Sequence, residues 1–241
     1  MRIHVFETMH DAAYAGAEII ADMINSVARP VLGLATGSTP VALYRELIRR
    51  NMAGELDFSD VHTYNLDEYV GLHGSDMQSF RHFMDDKFFS HININKGNTH
   101  VPSGIGDDHE ADARHYDEMI ESDGGIDAQV LGIGHNGHIG FNEPDTIFHR
   151  DTHVVNLTDS TIDANKRFFK NREDVPRQAI TLGMGGIMRA RKIILLAFGE
   201  SKADAVRAMI QGNIDPQCPA SILQLHGDAT LLLDKAASSK L

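Results

Sequence analysis

Tryptophan is absent from this 241-residue chain, and cysteine occurs once, at Cys218. A lone cysteine excludes an intramolecular disulfide, so a reducing, cytoplasmic compartment is expected. Within Pro216-Gln217-Cys218-Pro219 it has no neighbouring base, and we read it as structural. No apolar run approaches the ~20 residues needed to span a bilayer. The start, Met1-Arg2-Ile3-His4-Val5-Phe6, moves straight into a strand-like run and leaves no room for a leader peptide. Basic residues are in deficit: 22 Lys+Arg face 34 Asp+Glu, for a net charge of −12. Such a surface repels nucleic acid and anionic membranes, so neither is an expected partner. An anionic small molecule would need a local gathering of cations and backbone N–H groups. The last residues, Ser239-Lys240-Leu241, match a peroxisomal address, although three residues match readily by chance.

What is present points to a packed α/β globule, with 42% hydrophobic and 23% charged residues. Short β-rich runs alternate with longer helical patterns, the signature of a parallel sheet flanked by helices. Strands are expected at 2–6, 31–34, 61–66, 128–133, 154–157, 179–182, 193–198 and 229–233. Helices are expected at 9–27, from Pro40 to about Arg50, at 78–89, 110–121, and from Lys202 to about Gln211. The polar, mostly helical stretch 160–176 is a candidate lid. With no repeat, low-complexity tract or linker, one domain over 1–241 is expected.

Four motifs carry chemistry. Leu131-Gly132-Ile133-Gly134-His135-Asn136-Gly137-His138 is an apolar run ending in a glycine-broken loop, with Glu143 five residues beyond His138. Glycines allow close backbone approach to a ligand, and ligands of open α/β sheets sit at the carboxyl ends of strands. His138 and Glu143 therefore suit an acid/base pair, although a turn histidine facing water fits the same spacing. Thr36-Gly37-Ser38-Thr39 joins a strand to a helix, where N–H groups and hydroxyls make an anion site; an ordinary turn capped by Thr39 is the plainer alternative. The P-loop spacing and its lysine are missing, which argues against a nucleotide. Gly199-Glu200-Ser201-Lys202 repeats that logic with a cation at Lys202, and Arg167 sits on the expected lid. In Asn65-Leu66-Asp67-Glu68-Tyr69, two adjacent carboxylates point opposite ways, one toward a cleft and one toward the scaffold. Capping of the next helix is the commoner role for such an Asp. The 14 histidines are scattered without an H-E-x-x-H or Cys/His spacing, so no metal is expected.

In order and spacing, Gly33–Pro40, Asn65–Leu72, Gly132–Pro144, Ser160–Phe169, Leu182–Gly185 and Gly199–Lys202 resemble the glucosamine-6-phosphate deaminase family of sugar-phosphate isomerases. The match runs from about residue 1 to 235. It implies a Rossmann-like open, mostly parallel sheet with helices on both faces, with no organic cofactor. It further implies conversion of glucosamine 6-phosphate and water to fructose 6-phosphate and ammonia. By matching position, His138 would accept the proton that opens the pyranose ring, with Glu143 and Asn136 supporting it. Asp67 would carry a proton from C2 to C1. Thr36, Gly37, Ser38, Thr39, Arg167 and Lys202 would hold the 6-phosphate.

Two departures bear on these expectations. Position 136 is Asn where the well-known hexameric members carry Asp, so more of the duty of supporting an imidazolium should fall on Glu143. Basic residues that allosteric members place after the Asn-Glu-Pro block are replaced by His153-Val154-Val155, and the tail is short. No activation by N-acetylglucosamine 6-phosphate, and a monomer or small homo-oligomer, are therefore expected. The nearest rival, a 6-phosphogluconolactonase-type hydrolase, lacks the Phe141-Asn142-Glu143-Pro144 continuation and the block around Asp67. A non-catalytic sugar-phosphate sensor would need neither Asp67 nor His138.

Overall fold

The computed structural model describes residues 1–241 apart from Ser160 and Ala164. In chain order its elements are β1 Arg2–Phe6, α1 Met9–Ser26, β2 Val31–Leu34, α2 Val41–Met52, β3 His62–Asn65, β4 Asp67–Tyr69, α3 Phe80–Lys87, β5 Thr99–His100 and α4 His109–Ser122. They continue with β6 Ala128–Leu131, β7 His153–Asn156, α5 Asp159–Asn165, β8 Gln178–Thr181, α6 Met184–Met188, β9 Lys192–Ala197, α7 Ala203–Gln211 and β10 Ala229–Asp234. The main sheet has seven strands in the order β1-β10-β9-β6-β2-β3-β5. Every pairing within it is parallel.

The expected open α/β architecture follows from side-chain alternation. Ile193, Leu195 and Ala197 of β9 face one core, while Ile194 and Leu196 face the other. A strand buried on both faces reads as a continuous apolar run, as β9 does. Tyr116 of α4, Ile187 of α6 and Val206 of α7 close the first core. Ile20 of α1, Leu43 and Leu47 of α2, and Met84 of α3 close the second. Among the described residues, no helix is long and apolar enough to cross a membrane.

The sequence pattern does not reveal a second, three-stranded sheet, β4-β8-β7, which is antiparallel throughout. The runs expected at 154–157 and 179–182 belong to it, not to the main sheet. The chain passes between the sheets at Leu66, whose N–H donates to Leu34 O at 3.0 Å and whose carbonyl accepts from Leu182 N at 2.7 Å. Asp67 is thus the first residue of β4, at the carboxyl end of β3. The expected lid contains α5, starting one residue before Ser160, which itself lies outside the described residues. Beyond α5 come two single 3-10 turns, Lys166–Phe168 and Arg172–Asp174.

Candidate active site

At the carboxyl ends of β2, β3 and β6 the fold opens into a cleft of about 430 Å³. Thr36, Gly37, Ser38, Thr39, Asp67, Asn136, His138, Arg167 and Lys202 all line it. Glu143 stands behind Asn136 and His138, with its side chain 9% exposed.

The loop after β6 owes its shape to two glycines. A Cβ on Gly134 would fall 2.3 Å from the His138 ring, so the imidazole lies against a backbone that only glycine leaves bare. Gly140 has φ +59°, and a Cβ there would meet Thr181 Oγ1 at 2.9 Å and approach Asp67 Oδ2 at 3.6 Å. The loop is further tied by Gly134 N to His138 O at 2.9 Å and by Phe141 N to Thr181 Oγ1 at 3.1 Å. Cys218 packs beneath it, where a Cβ on Gly137 would reach Sγ at 2.6 Å.

Glu143 gathers three partners. His138 Nδ1 lies 3.5 Å from Oε2, an ion-pair distance rather than a hydrogen bond. Asn136 Nδ2 donates to Oε2 at 2.7 Å, and the Thr161 hydroxyl donates to Oε1. Burial opposes ionisation of Glu143, but His138, Thr161 and Asn136 outweigh it and bring its pKa down to about 2. Glu143 is therefore a carboxylate throughout the neutral range. Asn136 does not reach the imidazole: its Oδ1 accepts from the His138 backbone N–H at 3.2 Å. The amide orients the carboxylate and the loop, and the ring's only close anionic neighbour among the described residues is Glu143.

Asp67 is 7% exposed. Burial, and then the charge of Glu68, push its pKa up to about 8. The two adjacent carboxylates divide as the alternation of a strand requires. Asp67 faces the cleft, whereas Glu68 turns away and accepts from the backbone N–H groups of Tyr69, Phe80 and Arg81, each at 2.9 Å. Glu68 thereby caps α3 from a distance, and Ser79 provides the local cap. Capping falls to the neighbour, which leaves Asp67 free for the cleft.

The end of the cleft where the sequence predicts an anion site is built on the loop between β2 and α2. Tyr44, buried within α2, clamps that loop: its hydroxyl donates to Ala35 O at 2.6 Å and accepts from Ala35 N at 3.2 Å. Thr39 does not cap α2; the cap position is Pro40, without a side-chain bond. Across the cleft, Asp234 at the end of β10 holds Gly199 N at 3.0 Å, fixing the turn that presents Lys202. Burial, and then the charge of Arg167, lower the Lys202 pKa, and Lys202 in turn is the main influence lowering that of His135. Positive charge is therefore concentrated here on a chain whose net charge is −12.

Sequence reasoning missed Thr161 and Tyr44. No spacing signal marks a hydroxyl that reaches Glu143 from α5, and Tyr44 reads as one apolar position among several on an amphipathic helix.

Residues 6–232 match the profile of the family described as glucosamine-6-phosphate isomerases/6-phosphogluconolactonase. A glucosamine-6-phosphate deaminase from Clostridioides difficile (strain 630) is 52% identical over 241 residues, covering 100% of this chain and 97% of that protein. Another from Thermoanaerobacter sp. (strain X514) is 52% identical over 239 residues, covering 99% of this chain and 94% of that one. The solved structure of a monomeric glucosamine-6-phosphate deaminase superposes with a TM-score of 0.97 at 44% identity, covering 100% of both chains. Family model, relatives and structure agree over nearly the whole length: the chain belongs to the glucosamine-6-phosphate isomerase/6-phosphogluconolactonase family.

Proposed function

We propose that this chain is a glucosamine-6-phosphate deaminase, converting glucosamine 6-phosphate and water to fructose 6-phosphate and ammonia. The observation that carries this reading is the meeting, in one cleft, of clustered cations and backbone N–H groups, a carboxylate of raised pKa and a histidine paired with a glutamate held ionised at neutral pH. Similarity to full-length deaminases at 52% identity supports the same reading.

The Thr36–Thr39 loop, Arg167 and Lys202 bind the 6-phosphate, and that anchor positions C1 and C2 of the sugar. His138 accepts the proton that opens the pyranose ring, and Glu143 stabilises the imidazolium that forms. Asp67, once ionised, takes the proton from C2 and returns it to C1. The amino-bearing carbon passes through an enol-amine to an imine, which water hydrolyses to the ketone with release of ammonia. Only the C2-to-C1 transfer moves a proton alone: ring opening also breaks the ring C1–O bond, and hydrolysis forms a C2–O bond from water as the C2–N bond breaks and ammonia leaves.

The segment from α5 to residue 176 is the lid, since Thr161 and Arg167 bring it to both ends of the cleft. In solution the chain is a monomer or small homo-oligomer, a reading supported by the monomeric deaminase it superposes on. Coupled detection of ammonia and fructose 6-phosphate tests the activity. Release of both in equal amounts is expected. No ammonia, with hydrolysis of 6-phosphogluconolactone instead, would replace the deaminase by the lactonase reading; sugar-phosphate binding with no turnover of either would leave a sensor.

A further inference from the structure

Away from the cleft, His62, His100 and Asp123 converge from three elements: the first residue of β3, the last of β5 and the residue that follows α4. One ligand atom from each lies within 4.8 Å of the other two, on side chains that are half-buried. Among the described residues this is the one grouping of His, Cys, Asp and Glu with such spacing. We propose that these three side chains bind a divalent transition-metal ion of the zinc type, with water completing its shell.

The donor set selects the metal class. Two imidazoles and one carboxylate suit Zn²⁺ or Co²⁺, whereas Mg²⁺ and Ca²⁺ prefer oxygen ligands throughout. Sheet register puts both histidines on one face, since His100 pairs with Tyr64 and His62 lies two residues before it on β3. Neighbours already orient the ligands, as outer partners do at metal sites. The Tyr64 hydroxyl donates to Asp123 Oδ2 at 2.7 Å, and its ring stacks on His100 at a centroid distance of 4.6 Å. His62 Nδ1 lies 2.9 Å from the same carboxylate oxygen, a spacing an ion bridges by displacing the proton between them.

Arg29 is the competing cation: it donates to His62 Nε2 and to Asp123 Oδ1, both at 3.1 Å. Its side chain is 62% exposed, so it can move into solvent when an ion enters. A bound ion would tie the two-residue edge strand β5 to β3 and to the end of α4, adding stability by binding only the folded chain. Asp67 lies beyond the opposite end of β3, so the site is separate from the proposed chemistry.

The test is titration of the chelator-treated full chain with Co²⁺, followed by displacement with Zn²⁺ and thermal melts with and without metal. One Co²⁺ per chain is expected, with the intense visible absorption of a tetrahedral site and a raised Tm. His100→Gln and Asp123→Asn should each weaken binding about tenfold or more, while Arg29→Gln binds at least as tightly because the competing cation is gone. The His100 ring makes no hydrogen bond among the described residues, so His100→Gln leaves the Asp123 contacts in place. Absence of stoichiometric binding, or binding equally tight in both the His100 and Asp123 variants, would overturn the proposal.

Discussion

Glu143 Oε2 lies 3.5 Å from His138 Nδ1 and takes a 2.7 Å hydrogen bond from Asn136 on the same oxygen. A carboxylate held at a pKa of about 2 cannot serve as a proton donor at neutral pH. In the proposed mechanism its contribution is fixed negative charge beside the His138 imidazole, which gains a proton during ring opening. Glu143→Gln should therefore lower kcat by about 100-fold or more, with a smaller change in KM. An unchanged kcat would remove Glu143 from the pair. The same substitution carries a stability signature. Because the folded pKa is depressed, the ionised form contributes stability above the ordinary 4.5, and this is lost as pH falls toward about 2. Thermal melts should show Glu143→Gln less stable than the parent at pH 7, with the gap closing as the pH is lowered through that window.

Asn136→Asp tests whether the amide matters as a donor. An ionised Asp cannot donate to Glu143, and it places a second negative charge where the 2.7 Å hydrogen bond now sits. The pair would share a proton, and the apparent pKa of Glu143 would rise. Activity at neutral pH should fall by about tenfold, roughly 1.4 kcal/mol of barrier. The side chain of residue 136 is exposed, which lets part of the repulsion relax into water. Carboxylate titration followed by NMR, alongside steady-state rates, checks both halves.

The two-faced core was legible from β9, because a strand buried on both sides reads as a nearly continuous apolar run; its neighbours β6 and β10 each bury a single polar side chain, Gln129 and Thr230. The loop around His138 was legible because an imidazole packed on Gly134 needs glycine there, and the motif displays it. The partition of Asp67 and Glu68 followed from strand alternation. The antiparallel sheet was not legible: β4, β7 and β8 are short and pair across long stretches of chain, and local pattern does not encode a strand's partner. Nor does sequence show that Asn136 acts on Glu143 rather than on the ring, since that depends on the loop's turn. The convergence of His62, His100 and Asp123 is hidden for a similar reason. Their scatter along the chain argues against a metal site, yet β3, β5 and α4 meet at one edge.

Lys202 and Arg167 raise a different question, how much of substrate affinity rests on charge. Lys202 is partly buried and adjoins a second cation, so its charge is poorly compensated until an anion arrives. Lys202→Ala should raise KM by about 10- to 100-fold and change kcat much less, the pattern of lost ground-state binding. Inorganic phosphate, a competitor for the same end of the cleft, should inhibit this variant more weakly than the parent. An unchanged KM and inhibition constant would contradict the phosphate assignment.

Asp67 offers the sharpest pH prediction. Burial and the Glu68 charge hold its carboxyl at about 8, against an ordinary 3.8, so near neutrality the free protein carries it mainly as the acid. In the proposed mechanism Asp67 must be ionised to remove the C2 proton, so it limits kcat/KM at low pH. The profile should rise about tenfold per pH unit and level off above pH 8. Glu68→Gln removes the second cause of the shift and should move that limb to lower pH. Asp67→Asn should abolish C2 proton exchange while leaving phosphate-dependent binding. The stability sign runs opposite to that of Glu143. Between 3.8 and about 8 the folded chain holds a proton the unfolded chain has released, so stability falls as pH rises, and above both values it is flat. Asp67→Asn cannot ionise and escapes that loss. Its Tm relative to the parent should therefore climb between pH 5 and pH 8, with an advantage on the order of a few kcal/mol at the upper end. A constant difference across that range would place the Asp67 pKa near its ordinary value and assign the acid limb of kcat/KM to another group.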